Sequence, residues 1–381
     1  MCSGPLASGT RPPRPGSTSS FKYERLPPHI RFLMNFRQES IHPAVLRAGL
    51  QMGQRKIVGS NARTAAMLTA FQRFIEDYSP PPYQAVDKHL KQMLDRQINF
   101  ITHCRPHSIA MGGTIRWLKR KLSTYASLQL EETRARLSLD IANFIACRLL
   151  SATLMAASIV EQQLIEDGDS IMIFGRSTAV TCALLQSKKQ GLHFSVVMVD
   201  VPHTGAGQEA AKAFADTGIY VTYTMLNGLS YHITSITKVL LGCSALLANG
   251  CVLNSAGAAT VAMMGKMHAK PVIVVTETYK MSDRVMLDSC SFNELCDPAL
   301  VWRPSTEELT GLPSQGVLRP ASATASAAAE GLLDGVPVVN PAYDVTPAQF
   351  VDYVVTEDGM FPASSVPGLI CGLGKSPALA D

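Results

Sequence analysis

Two textures of hydrophobic spacing divide the chain. From about Pro43 to Gly168, apolar positions recur every three or four residues, the interval at which side chains share one face of an α-helix. The clearest stripe is Ile141, Phe144, Ile145, Leu149, Ala152, Met155 and Ile159, which predicts a helix with one buried face and Gly168 as its C-terminal cap. Turn signals at Ser79-Pro80-Pro81-Pro82 and Met111-Gly112-Gly113 separate shorter helical segments before it. This half reads as all-helical.

After Gly168 short apolar runs alternate with helical stretches. Ser170–Phe174, Phe194–Val199, Tyr220–Thr224, Ala245–Ala248 and Val272–Val275 read as strands. Gly207–Gly218 and Gly257–Lys270 are long enough for crossover helices. Near-continuous apolar strands joined by helices predict a parallel sheet covered on both faces. The right-handed crossover rule then gives an α/β, Rossmann-like, doubly wound domain. Its ligand crevice lies at the carboxyl ends of the strands, where Gly175-Arg176-Ser177, Asp200 and Asn249-Gly250 are expected. The boundaries read as a disordered tail over 1–22, a helical domain over 23–168 and the sheet domain over 169–381. Within the last, 303–339 reads as an inserted loop, because Ala321-Ser-Ala-Thr-Ala-Ser-Ala-Ala-Ala is low in complexity. The fold resumes at Tyr343-Asp-Val-Thr-Pro, with Thr346 as an expected N-cap and Pro347 as the first helical residue.

Composition narrows the class. The 381 residues are 46% hydrophobic and 17% charged, which suits a folded protein with a large core. A net charge of +4 does not by itself argue for nucleic acid, and no DNA partner is expected. Nine cysteines at irregular spacing, without a CxxC pair, give neither a disulfide framework nor a zinc site, and point to a reduced cytosolic interior. No unbroken apolar run reaches membrane-spanning length, so no membrane partner is expected. The first twenty residues are rich in Pro, Gly, Ser and Arg, but Pro5, Pro12, Pro13 and Pro15 forbid the amphipathic helix of a transit peptide.

Four motifs were weighed against ordinary structural use. Cys371-Gly-Leu-Gly-Lys-Ser resembles the end of a P-loop, but Leu369 stands where the first glycine is needed and no helix can follow. His103-Cys-Arg-Pro-His107 lacks the further ligands that zinc requires, so no metal is expected. Arg116, Lys119, Arg120 and Lys121 around Trp117 form a solvated or partner-facing basic face. Gly175-Arg-Ser-Thr follows a strand and opens a helix; both a vestigial phosphate site and a plain turn fit it. No GxSxG, HExxH or paired-carboxylate motif supplies a catalytic set, and no cofactor motif is present.

Three blocks carry a family resemblance. They are Val58-Gly-Ser-Asn-Ala-Arg63; Leu246 through Ala258 with Lys270–Val275 and Glu277-Thr-Tyr-Lys280; and Tyr343–Pro347 with Glu357–Val366. Together they resemble the alpha/beta/delta regulatory subunits of translation initiation factor 2B, and the first and third are most similar to delta-type members. The resemblance implies the fold of methylthioribose-1-phosphate isomerase and its ribose-bisphosphate relatives. Gly175 stands where those enzymes carry a Cys. Their acid/base segment reads Gly242-Cys-Ser244 and Asn249-Gly-Cys251 here, without the carboxylates, and their phosphate-binding Asn-Lys reads Asn254-Ser255.

The resemblance therefore implies no catalytic residues and a vestigial ligand pocket at Gly175, Arg176, Ser177, Asn249, Gly250, Asn254 and Gly257. It also implies a regulatory subunit of a guanine-nucleotide exchange complex. Expected partners are a beta-type subunit joined through the Rossmann-like half, alpha-, gamma- and epsilon-type subunits, and the alpha chain of initiation factor 2, whose phosphorylation is sensed. Ser60, Asn61 and Arg63 are the candidate partner surface, although Ser-Asn before a helix is also an ordinary N-cap. An active sugar-phosphate isomerase and a metabolite-sensing binding protein are the rival readings on this fold.

Overall fold

The computed structural model describes residues 41–81, 86–201, 206–290, 293–297, 300–301, 332–333 and 336–373. The tail expected over 1–22 and almost all of the insertion expected over 303–339 lie outside them. The helical half begins with α1 (Pro43–Gly53), α2 (Ser60–Asp77), α3 (Val86–Cys104), α4 (Ile109–Thr124) and α5 (Leu130–Asn143). Local chemistry sets two of the starts. Pro43 follows His42, whose ring nitrogen accepts from Ala44 N at 3.2 Å, and the Ser108 hydroxyl accepts from Met111 N at 3.2 Å. Phe71 and Phe100 are fully buried at the centre. Gly49 lets α1 lie against α3, since a Cβ there would come within 2.7 Å of the Phe100 ring.

The longest helix departs from its expected phase. α5 runs through π-helical turns at Phe144–Ser151 into α6 (Ala152–Leu164). Each π turn holds more residues than an α turn, which rotates everything after it about the axis. The expected stripe is therefore buried at Ile141, Phe144, Leu149 and Ala152, but then Thr153, Ala156, Ala157 and Val160 turn inward. Met155 is 55% exposed, with Leu150 and Leu154 beside it on the open side. The helix stops at Leu164, short of Gly168, which instead makes the left-handed turn before the strand that starts at Ser170. Taken whole, Leu130–Leu164 is long and apolar enough to cross a membrane by length and composition, the one such helix among the described residues. Polar residues such as Arg148 and Thr153 interrupt it, so it holds no unbroken apolar run of that length. The buried side of this helix packs into the cores of both halves, which accounts for much of its apolar character.

The sheet half holds seven strands in the order β13-β12-β7-β4-β1-β2-β3. These are β1 (Ser170–Phe174), β2 (Ser195–Asp200), β3 (Tyr220–Met225), β4 (Lys238–Leu241), β7 (Val272–Val275), β12 (Tyr353–Thr356) and β13 (Gly359–Pro362). All neighbours are parallel except β12 and β13. Alternate residues serve opposite faces, as the two-residue strand period demands. Ile171, Ile173, Val196 and Met198 join a core with α6, α7 (Thr178–Lys189) and α8 (Ala206–Asp216). Met172, Phe174, Val197 and Val199 join another with α9 (Leu229–His232), α10 (Ala258–Met267) and α11 (Val366–Leu373). This is the doubly wound arrangement that the alternating texture predicts.

Two strand expectations change. Ala245–Leu247 is β5 of a second, four-stranded sheet ordered β11-β6-β5-β8, with β6 (Val252–Ser255), β8 (Met281–Ser282) and β11 (Tyr343–Thr346). The place expected for it in the main sheet belongs to β4, because Gly242-Cys243-Ser244 breaks the apolar run in two. Thr346 ends β11 rather than capping a helix, and Pro347 leads only into a 3₁₀ turn at Ala348–Phe350. Pairing of Tyr343–Thr346 with Val252–Ser255 holds that segment extended. β9 (Leu332–Leu333) and β10 (Val336–Pro337) pair as a short ribbon.

Candidate functional site

Strand order reverses at β1, between β2 on one side and β4 on the other, and such a switch point opens a crevice at the strands' carboxyl ends. Gly175 leaves β1 with φ +54, its N–H donating to Val199 O at 2.8 Å. Ser177 caps α7 and packs directly on Gly242, which leaves no room for a Cβ there. Asn254 Nδ2 donates to Gly242 O at 2.7 Å. Gly257 has φ +111, and a Cβ on it would lie 2.7 Å from the Phe174 ring. Gly175, Ser177, Asn254 and Gly257 thus share one neighbourhood, as expected.

The remaining pocket candidates separate from it. Arg176 is turned to solvent and pairs with Glu209 at 2.9 Å. Asn249 and Gly250 form the β5–β6 turn; Asn249 Nδ2 donates to Met286 O, and Gly250 lies against Ala348 and Ala363. Asp200 closes β2, buried, accepting from Val201 N and from the Tyr223 hydroxyl.

Asp344, which the sequence reading did not single out, caps the helix start beside Gly257. It accepts from Gly257 N at 2.7 Å and Ala259 N at 3.0 Å. Burial pushes its carboxyl up to about 6, against the pull of those two N–H groups. The anion seat expected at a helix N-terminus is thereby taken by the chain's own carboxylate.

The segment Ser60–Arg63 is corrected most. Arg63 is 1% exposed and turns inward, donating from Nη2 to Pro106 O and from Nη1 to the Tyr343 hydroxyl. Ser60 Oγ donates to Ser244 O at 3.4 Å. Asn61 Nδ2 donates to Glu277 at 2.6 Å, and Asn61 Oδ1 accepts from the Tyr279 hydroxyl at 2.6 Å. Arg63 is therefore not available to a partner, while Ser60 and Asn61, both partly exposed, also bond across the joint between the halves.

Glu277 is the hub of that joint. It is fully buried, ion-paired with Lys280 at 2.6 Å, and accepts from Thr153 at 2.5 Å as well as from Asn61. Burial alone would raise its carboxyl, but Lys280, Thr153 and Asn61 hold it below the usual carboxylate range. The same pairing raises Lys280 against the effect of burial, while burial pushes the Tyr279 phenol up to about 12. The signal was present in the sequence as Glu277 and Lys280, three apart, straight after the apolar strand Val272–Val275. Only the fold shows that both are buried.

The other motifs settle into structural use. His103 Nδ1 hydrogen-bonds Asn99 O, and His107 is exposed, its imidazole held below the ordinary value by partial desolvation, Arg284 and Arg63. Lys119 pairs with Asp95 and Arg116 with Asp283, while Trp117 stacks on Phe144 at 4.5 Å. Cys147 is exposed on the long helix.

A helical bundle locked onto a doubly wound sheet defines a Rossmann-like ligand fold. Residues 56–363 match the model described as the Initiation factor 2 subunit family, and the chain belongs to that family. It is 33% identical over 333 residues to translation initiation factor eIF2B subunit delta of Dictyostelium discoideum, covering 86% of this chain and 51% of that one. It is 33% identical to the delta subunit of Schizosaccharomyces pombe, covering 87% and 69%. The chain thus spans about half the length of the Dictyostelium relative. Among solved structures it is similar to the tetrameric eIF2B-beta2-delta2 complex from C. thermophilum, with TM-score 0.71, 30% identity, and coverage of 83% of this chain and 92% of that one. Ribose 1,5-bisphosphate isomerase of Haloferax volcanii is more distant, at 25% identity over 328 residues, covering 86% and 92%.

Proposed function

We propose that the chain is a non-catalytic regulatory subunit of the guanine-nucleotide exchange complex for initiation factor 2. In this reading it pairs with a beta-type subunit through its Rossmann-like half and joins alpha-, gamma- and epsilon-type subunits in the cytosol. It contributes to sensing phosphorylation of the initiation factor's alpha chain.

The observation that carries the reading is 33% identity to delta subunits across most of the chain, joined to the chemistry of the crevice. Moving a proton between two carbons of a sugar phosphate needs an acid/base group free to act on both. Ser244 and Cys251 bring no carboxylate, Glu277 is held in the joint by Lys280, and Asp344, beside the crevice at Gly257, caps a helix. The open apolar row of Leu150, Leu154 and Met155 further supports life in an assembly.

A tagged pull-down from cell extract with mass spectrometry of the partners tests the proposal. Recovery of beta-, gamma- and epsilon-type chains with initiation factor 2 is the expected result. Recovery alone, or as a soluble stable monomer, overturns it. Turnover of ribose 1,5-bisphosphate or methylthioribose-1-phosphate by the purified chain would instead establish the isomerase reading.

A further inference from the structure

The long helix leaves one side bare. Leu139, Cys147, Leu150, Leu154 and Met155 fall along it at helical intervals, and all are exposed. Every exposed residue from Leu139 to Met155 is uncharged. At the rise of an α-helix this neutral face is about 24 Å long. A continuous apolar face of that kind is costly in water and marks a seat for another apolar surface.

The stretch that precedes the described fold has the matching pattern. Residues 25–38 read Arg-Leu-Pro-Pro-His-Ile-Arg-Phe-Leu-Met-Asn-Phe-Arg-Gln. Pro27-Pro28 is a helix-start signal, and the spacing after it predicts an amphipathic helix. Arg31, Asn35 and Gln38 make a narrow polar stripe, while Ile30, Phe32, Leu33, Met34 and Phe36 spread over the rest of the circumference. As a helix, 28–38 would be about 16 Å long, short enough to lie wholly on the bare face.

The point of entry into the fold decides between possible occupants. His42 Nε2 lies 3.0 Å from Asp77 Oδ2 at the end of α2. The neighbouring Glu76 accepts from Ser138 Oγ at 2.6 Å, one residue before Leu139. The chain therefore enters beside one end of the bare face, and only Glu39 and Ser40 separate Gln38 from Ile41. So short a tether gives the segment an effective concentration at the face on the order of millimolar, far above that of a second copy in dilute solution. Charge agrees with this. Between Glu24 and Glu39 the segment carries Arg25, Arg31 and Arg37 and no acid, and Glu76 and Asp77 stand exposed where Arg37 arrives.

We propose that residues 28–38 dock as a helix antiparallel to the long helix, on its face from Leu139 to Met155. Gln38 then lies at the Leu139 end and Ile30 near Cys147. The seat is intrachain and stands whether or not the subunit reading does; a partner that reaches this face has to displace the segment.

Cys147, in the middle of the face, reports occupancy. The full chain is reacted with N-ethylmaleimide, and each cysteine is followed by peptide mass spectrometry. Exposed Cys290 gives the unhindered reaction and buried Cys243 reports folding. A Leu33→Asp, Met34→Asp double variant should label at Cys147 about tenfold faster than wild type, with Cys290 unchanged and Cys243 still protected. Should that variant unfold and expose Cys243, Ile30→Cys decides: a short bis-maleimide should bridge it to Cys147 within one chain. Equal labelling of Cys147 in folded wild type and folded double variant overturns the proposal, as does failure of the bridge to form. A bridge between two chains overturns it in favour of a second copy. Protection of Cys147 that appears only on adding a beta-type subunit overturns it in favour of that partner.

Discussion

The two polar joints between the halves solve the same problem with opposite bookkeeping of charge. At Glu277 one carboxylate meets one ammonium, and Asn61 and Thr153 supply further donors to the carboxylate. At Glu294 one carboxylate is ion-paired with two guanidinium groups, those of Arg55 and Arg105, and among the described residues Arg105 Nη1 meets no hydrogen-bond acceptor. The first is balanced in charge as folded, Glu277 Oε2 meeting the Lys280 ammonium, and serves to lock α2, the long helix and the turn after β7 together. The second holds the halves together but keeps spare positive charge. Burial of polar groups alone therefore does not tell one joint from the other; the balance of donors against acceptors does.

Substitutions should widen that contrast. Glu277→Leu leaves Lys280 buried and unpaired, and is expected to cost about 3–5 kcal/mol in urea unfolding. A Glu277→Leu, Lys280→Met double variant should recover much of the loss, and failure to recover would mean that the pair is not the stabilising unit. Glu294→Gln should cost less, about 1–3 kcal/mol, because Arg105 keeps partial hydrogen bonding. Urea unfolding of the Glu277→Leu and Glu294→Gln variants side by side checks that order, and equal losses would erase the distinction between the joints.

Asp344 gives a pH test. Its folded value of about 6 lies above that of an unfolded aspartate, so the native state holds the proton more tightly. Its contribution is fully present below about pH 4 and is lost as pH rises through about 6. The change should be about 1–2 kcal/mol after allowance for its remaining contact with water. Comparing unfolding midpoints below and above that window, Asp344→Asn should show a flatter dependence than wild type. The smallest effect belongs to the surface. Arg116 and Asp283 are 61% and 71% exposed, and Arg116→Ala should move stability by no more than about 0.5 kcal/mol.

Much of the fold could be read from spacing. The helical half, the parallel strands at Ser170, Ser195, Tyr220 and Val272, and the crossover helices all appear where the pattern puts them. So does the grouping of Gly175, Ser177, Asn254 and Gly257, because strand ends in such a sheet converge by topology. The misplacements share a cause: periodicity describes a face but not a rotation or a partner. The π turns at Phe144–Ser151 swung Met155 into the open, and the pairing of Ala245–Leu247 with Val252 took that segment out of the main sheet.

What the amino-acid order determined by itself is what depends on neighbours a few residues away: helix and strand periods, prolines and caps. Tertiary structure decided which charges meet. Arg55, Arg105 and Glu294, like Asn61, Thr153 and Glu277, are far apart in sequence and become one site only when the halves close on each other. Burial then turns ordinary surface residue types into groups that must find partners, because water no longer supplies them.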